Sequence, residues 1–297
     1  MTTTAFIGLG AMGAGMAANL VKAGQDVLAF DVSVAARDRA RDAGCRVAES
    51  AGQAAGDAAV VITMLPAGHH VRQVWAESVI PGARPGSLLI DCSTIDVDSA
   101  RAVAAAASAA GLHAADAPVS GGIMAANDGT LAFMVGCDDA QFASVEAALA
   151  PMARAVIHAG DAGAGQAAKI CNNMVLGISM LGVCEAFALA EKLGLDPLRF
   201  FEIASKSSGQ CWSLTSYSPW PGPVPSAPSN RNYEGGFLTS LMSKDLKLAQ
   251  EAAARSGAAT PMGAQAQALY ALFEAQGYGQ KDFSAVLQLM RGRLADL

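Results

Sequence analysis

The chain has 297 residues, with 26 acidic and 20 basic side chains, a formal charge of −6 and a hydrophobic fraction of 52%. That length suggests about two domains of roughly 100–200 residues each, and so much apolar content excludes a disordered chain. Charged residues make up only 15% and no basic run occurs, so neither nucleic acid nor an anionic membrane surface is expected as a partner.

Over the first 160 residues, short β-like runs alternate with Ala-rich helical stretches. Strands are predicted at 4–8, 26–31, 58–65, 87–91, 113–119, 132–136 and 155–158, and helices at 14–23, 34–43, 67–77, 98–110 and 139–153. Several strands are near-continuous apolar runs, which suits a parallel sheet covered by helices on both faces. The alternation predicts an α/β fold, with a doubly wound nucleotide-binding domain over residues 1–163. From Gly165 the strand signals stop. A long helical pattern runs over 166–193 and ends at Gly194 and Pro197, a normal C-terminal signal. Further helices are predicted at 197–205, 239–255, 261–276 and 283–295, which makes residues 164–297 an all-helical domain. Between them, 207–236 holds five of the 12 prolines and two of the three tryptophans. It is predicted to be an irregular but ordered loop.

The longest apolar run, 170–184, contains Asn172 and Asn173 and falls short of the roughly 18 residues expected of a membrane span. No charged leader precedes the first apolar run at Ala5, so no targeting peptide is predicted. The six cysteines are scattered without a CxxC pair, the usage of a reducing compartment, and a cytoplasmic location is expected. His69, His70, His113 and His158 lack metal-ligand spacing, so no metal is expected.

Gly8-Leu9-Gly10-Ala11-Met12-Gly13 fits G-x-G-x-x-G. Its weight comes from context: it follows a predicted strand, opens a predicted helix and is answered by Asp31 at the end of the next strand. Gly8 would permit the tight turn, Gly10 the approach of the pyrophosphate, and Gly13 close helix–strand packing, with the phosphates at the positive helix N-terminus. The Asp31 carboxylate can accept ribose hydroxyls and would repel a 2′-phosphate, while Val32 stands where an Arg would suit one. The cofactor is therefore read as NAD. Leu65-Pro66 and Ser93-Thr94 end later strands and are expected either to close over the same crevice or to be plain turns.

Three more clusters are unusual. Asp116-Ala-Pro-Val-Ser120-Gly121-Gly122 has glycines that free backbone N–H groups, either as a cradle for a small carboxylate or as a simple turn. Lys169 and Asn173, at i and i+4, share a face of the long helix. On spacing alone a solvated lysine is the commoner meaning, although a desolvated one titrates lower and can exchange a proton with an alcohol. Lys244-Asp245, in the 239–255 helix, reads locally as a surface charge pair.

These motifs, with Met16-Ala-Ala-Asn19-Leu20, Ser207-Ser-Gly-Gln-Cys-Trp212, Asn232-Tyr-Glu-Gly-Gly-Phe237 and Lys281-Asp282-Phe283-Ser284, resemble the β-hydroxyacid dehydrogenase family over residues 4–290. Within it they are most similar to the branch acting on 3-hydroxyisobutyrate. The resemblance implies a Rossmann domain joined through a long interdomain helix to an all-helical domain, a homodimer or homotetramer, and a small hydroxy-carboxylic acid as substrate. It implies that Lys169 is the catalytic lysine and that Ser120, Gly121, Gly122 and Asn173 bind substrate, with Asp245 orienting the site and Trp212 on a lid or wall. It also implies that Lys244 lies near the nicotinamide. Tartronate semialdehyde, 3-hydroxypropionate, serine, succinic semialdehyde and glyoxylate remain alternative substrates. Imine reduction is disfavoured by Lys169, and a non-catalytic NAD sensor is the competing class.

Overall fold

The apolar runs of the N-terminal part form one sheet in the computed structural model, which describes residues 3–297. Residues 1 and 2 of the predicted first domain lie outside the described residues. The strands are β1 (Thr3–Ile7), β2 (Asp26–Phe30), β3 (Arg46–Val47), β4 (Val60–Thr63), β5 (Leu88–Asp91), β6 (His113–Asp116), β7 (Val119–Ser120), β8 (Leu131–Gly136) and β9 (Ala153–Gly160). Their order is β3-β2-β1-β4-β5-β6-β8-β7, with β9 paired to β8. The strands from β3 to β6 are all parallel, and β8 runs antiparallel to β6.

Register explains why these strands read as apolar throughout. Phe6, Ile62 and Ile90 point to one face of the sheet and join one core, whereas Ala5, Val61 and Leu89 point to the other and join a second. All six are 0% exposed, as expected where helices cover both faces. The strand order reverses between β1 and β4, and open α/β sheets bind ligands outside the carboxyl ends of the strands at such a point.

Several boundaries differ from expectation for local reasons. The run 113–119 is two strands, because Pro118 has no N–H with which to extend the ladder. The helix expected to reach residue 153 stops at Leu149 and passes through a 3₁₀ turn containing Pro151 into β9. Two helices too short to show a period, Ala51–Gly56 and Gly122–Asp128, were not anticipated. The last predicted helix begins as a 3₁₀ turn at Phe283–Ala285 and continues as Val286–Arg291, where Gly292 at φ 68° stops it before a further 3₁₀ turn at Leu294–Asp296.

The chain forms two compact units, one ending at Lys169 and the other running from Ile170 to Leu297. The long helix, Ala164–Lys192, begins in the first. There, a Cβ on Gly165 would come within 2.3 Å of the Met134 carbonyl oxygen, so only glycine allows this approach. In the second unit Gly177 lets Leu246 and Met242 of the helix Thr239–Ser256 pack against the long helix. By length and composition alone this helix is apolar enough to cross a membrane. Its Met180, Cys184 and Phe187 are instead fully buried in the core of the helical unit, which accounts for the apolar run.

The proline-rich stretch 207–236 is ordered by side chains that cross it. Tyr217 Oη donates to Asp282 at 2.7 Å, Tyr233 Oη to the Pro219 carbonyl at 2.9 Å, and Asn230 Nδ2 to the Val224 carbonyl at 2.7 Å. The Arg291 guanidinium lies 4.4 Å from the centroid of the Trp220 ring. Two short pieces, a helical turn at Trp212–Thr215 and a 3₁₀ turn at Pro228–Arg231, sit inside what the sequence suggested was wholly irregular.

Candidate active site

The glycine loop leaves β1 and enters the helix Gly13–Lys22. Gly8 has φ +97°, and a Cβ there would meet the Met64 carbonyl oxygen at 2.2 Å; one on Gly13 would meet the Gly8 carbonyl oxygen at 1.9 Å. Gly10 differs, since a Cβ on it would have nothing within 4 Å. That open space beside bare backbone, at a helix N-terminus with no side-chain cap, fits a pyrophosphate. Asp31 sits one residue beyond β2, where its Oδ2 accepts the Leu9 N–H and its Oδ1 the Ser33 N–H, both at 2.7 Å. The carboxylate thus holds the loop, and its remaining lone pairs are of the kind that ribose hydroxyls donate to. Val32 is 88% exposed. The nearby Arg37, which sequence reasoning passed over, donates to the Asp31 carbonyl at 2.8 Å and lies over the Phe30 ring.

Leu65-Pro66 and Ser93-Thr94 are tied together at the ends of β4 and β5. The Leu65 N–H donates to Ser93 Oγ, which donates to Asp91 Oδ1 at 2.6 Å; Thr63 Oγ1 donates to the same oxygen and accepts from Trp75 Nε1. Nothing in the sequence flagged Asp91 except its place at the end of an apolar strand. Burial pushes its carboxyl up to about 6, although the Ser93 and Thr63 hydroxyls pull the other way. Among the described residues its Oδ2 is buried without a partner, beside a small cavity lined by Trp75, Val103 and Asp116.

A carboxyl whose folded pKa lies above its unfolded one stabilises the fold while protonated. That contribution is complete below the unfolded pKa of about 3.9 and is lost as pH rises through about 6, at a cost of roughly 3 kcal/mol. Asp91→Asn should therefore flatten the fall in stability between pH 4 and 7. Urea titrations of both proteins at several pH values check this, and parallel profiles would refute it.

Ser120 ends β7, and Gly121 and Gly122 follow at φ +134° and +71°. These are conformations that glycine adopts at little cost. Asp116 ends β6 and is buried. Its Oδ1 accepts the Gly163 N–H at 2.6 Å and its Oδ2 the Gln166 N–H at 2.8 Å. Burial raises its carboxyl above the usual range, while those two N–H donors pull it down. Lys169, at the end of the first unit, is 6% exposed, so it is not the solvated helix-end lysine that spacing alone favoured.

In the helical unit Asn173 is 2% exposed and donates through Nδ2 to Asp245 Oδ2, while Asn172 Nδ2 donates to Asn173 Oδ1 at 3.0 Å. Asp245 is itself buried, so the surface-pair reading of Lys244-Asp245 fails for the aspartate; Lys244 is half-buried. An amide held at one hydrogen by a carboxylate keeps its second N–H directed. Trp212 is 51% exposed and stacks on Tyr217 with ring centroids 4.8 Å apart. Cys92 is buried and its thiol is pushed well up by that burial, whereas Cys171 is exposed.

Known proteins are similar to this chain in sequence and in fold. Residues 3–160 match the family described as the NAD-binding domain of 6-phosphogluconate dehydrogenase, and residues 163–290 that described as the NAD-binding part of NADP-dependent 3-hydroxyisobutyrate dehydrogenase. The chain is 48% identical over 298 residues to a 3-hydroxyisobutyrate dehydrogenase of Pseudomonas aeruginosa, covering 99% of this chain and 100% of that one. It is 47% identical over 291 residues to an NAD-dependent L-serine dehydrogenase of the same organism, covering 97% and 98%. Among solved structures, Mycobacterium tuberculosis 3-hydroxyisobutyrate dehydrogenase with L-serine is similar at a TM-score of 0.96 and 48% identity, covering 98% and 99%.

Proposed function

The chain belongs to the 3-hydroxyisobutyrate dehydrogenase family of NAD-dependent oxidoreductases, and on that basis we propose that it oxidises 3-hydroxyisobutyrate to methylmalonate semialdehyde, a step of valine breakdown. The observation that carries this reading is the burial of Lys169 one helical turn before Asn173, whose amide Asp245 orients.

NAD, when bound, supplies the hydride acceptor. The Gly8–Gly13 loop, with Asp31, Leu65, Pro66, Thr94 and Lys244, is read as holding it. Lys169 takes the proton of the C3 hydroxyl as the C3 hydrogen leaves, so the alcohol loses a hydride and a proton and becomes the aldehyde. The Ser120, Gly121 and Gly122 donors bind the substrate carboxylate, and the second amide hydrogen of Asn173 is a further donor to substrate. Trp212, stacked on Tyr217, is read as part of a lid or wall for the substrate methyl group.

A second reading is oxidation of L-serine, supported by the relative and the solved structure that carry its name. L-Serine has the same hydroxymethyl carboxylate skeleton with an ammonium group in place of the methyl. The exposed apolar side chains Leu189, Leu193, Leu198 and Ile203 support a homodimer or homotetramer, and the scattered cysteines support a cytoplasmic setting.

Initial rates of NADH formation with racemic 3-hydroxyisobutyrate, L-serine and 3-hydroxypropionate test the assignment. One methyl group is worth about 1–3 kcal/mol, or roughly 10–200-fold, so 3-hydroxyisobutyrate should lead 3-hydroxypropionate in kcat/KM by a factor in that range and should lead L-serine as well, with NAD⁺ preferred to NADP⁺. A lead for L-serine would establish the second reading. Absence of NADH with every alcohol would leave only an NAD-binding protein.

A further inference from the structure

We infer that Gln166 is a positioning residue, whose side chain clamps the helical turn bearing Lys169 to the segment after β5, with Asp116 closing the same joint from β6. The inference rests on the reading of Lys169 as the proton-transfer group. Gln166 is 0% exposed. Its Nε2 donates to the Ser93 carbonyl at 2.7 Å, and its Oε1 accepts the Ile95 N–H at 3.1 Å. The two contacts bracket Thr94, a residue proposed to face the cofactor. On the other side, the Asp116 carboxylate accepts the N–H groups of Gly163 and Gln166.

Both functional ends of the Gln166 amide and two N–H groups at the helix start are therefore satisfied by residues 47 to 73 positions away in sequence. Gly165, between those N–H groups, lies so close to the Asp116 and Met134 carbonyls that no side chain fits. Sliding or rotating this turn would strand buried donors and acceptors, each costly to leave unpaired. Lys169 is three residues further along, about 4.5 Å of helical rise, so the clamp sets where its amine-bearing chain begins. A buried glutamine kept only for stability would affect folding. One that aligns the proton-transfer group affects turnover more than cofactor binding, because a displacement of about 1 Å can cost on the order of 10²-fold in rate.

The test uses the full-length enzyme with saturating NAD⁺ and its best hydroxy acid. Gln166→Ala should lower kcat by roughly 10–100-fold and leave the calorimetric NAD Kd within about threefold. Gln166→Glu keeps the size and the acceptor for Ile95 but turns an oxygen toward the Ser93 carbonyl; it should lose rate as well, and it serves if the alanine variant folds poorly. In the double variant with Lys169→Ala, kcat should be no lower than in Lys169→Ala alone, since a group acting through Lys169 has nothing left to align. Full turnover by both Gln166 variants overturns the clamp, as does a double variant reduced by the product of the single losses. A loss of NAD affinity and melting temperature in proportion to rate overturns it too. If Lys169→Ala itself kept its rate, the assignment of Lys169 would fall, and the clamp with it.

Discussion

Lys169→Ala is expected to lose roughly 10²–10⁴-fold in turnover, the usual contribution of positioned acid–base help, while NAD binds as before. The two effects separate because the proposed nucleotide cradle, Gly8–Gly13 with Asp31, is held together by its own contacts, the Leu9 N–H on Asp31 and the close approach of Gly13 to Gly8. Neither of those two contacts involves Lys169. Lys169→Arg should not restore activity, since a guanidinium stays protonated in proteins and cannot accept the alcohol proton. Steady-state kcat with the preferred hydroxy acid, measured beside the calorimetric affinity for NAD, decides the matter. Near-full turnover by Lys169→Ala at neutral pH would sink the proposed mechanism.

Asp282→Ala is expected to destabilise the helical unit by about 3–5 kcal/mol through the buried donors it strands, a large part of the 5–15 kcal/mol typical of a folded domain. Asp282 is 0% exposed and receives four hydrogen bonds. Its Oδ1 takes the Ser284 N–H at 3.0 Å and Oγ at 2.6 Å, and its Oδ2 takes Tyr217 Oη at 2.7 Å and the Phe237 N–H at 2.8 Å. Burial raises its carboxyl while these donors pull it down. Removing the carboxylate strands donors from three separate segments, each costing about 1–3 kcal/mol before relaxation. It also releases Tyr217, on which Trp212 stacks. Asp282→Asn should cost less, about 1–2 kcal/mol, because the amide oxygen still serves Ser284 while its nitrogen cannot accept the Phe237 N–H. Urea unfolding followed through Trp212 and Trp220 measures both. A midpoint unchanged in the alanine variant would show that the joint does not hold the loop.

The glycine fingerprint was readable because it is a matter of local sterics. Backbone at φ +97° and a carbonyl 1.9 Å from a would-be Cβ admit glycine alone, and the strand before and Asp31 after lie within one βαβ unit. The long helix was readable from its period and its Gly194 stop. The broken strand at Pro118 and the early stop at Gly292 were missed, although each has a one-residue cause, because the apolar pattern ran on past it. Asp91 and Tyr217 gave no usable signal, and Gln166 and Asp282 lie in motifs of the resemblance without any role having been read for them. Each is an ordinary polar residue whose meaning lies in a partner 2 to 73 positions away.

Order of elements, the two-part division of labour between sheet and helices, the glycine loop and the reading of NAD as cofactor all follow from periodicity, chain stereochemistry and a carboxylate at one strand end. Those are properties of neighbours along the chain, and they survive without knowledge of the folded coordinates. That Lys169 is buried rather than solvated, that Asn173 is steered by Asp245, and that the proline-rich stretch is pinned through Asp282 were decided only by folding. The reason is desolvation: a buried polar group must find a partner, and which partner it meets depends on elements that sequence separates and packing brings together.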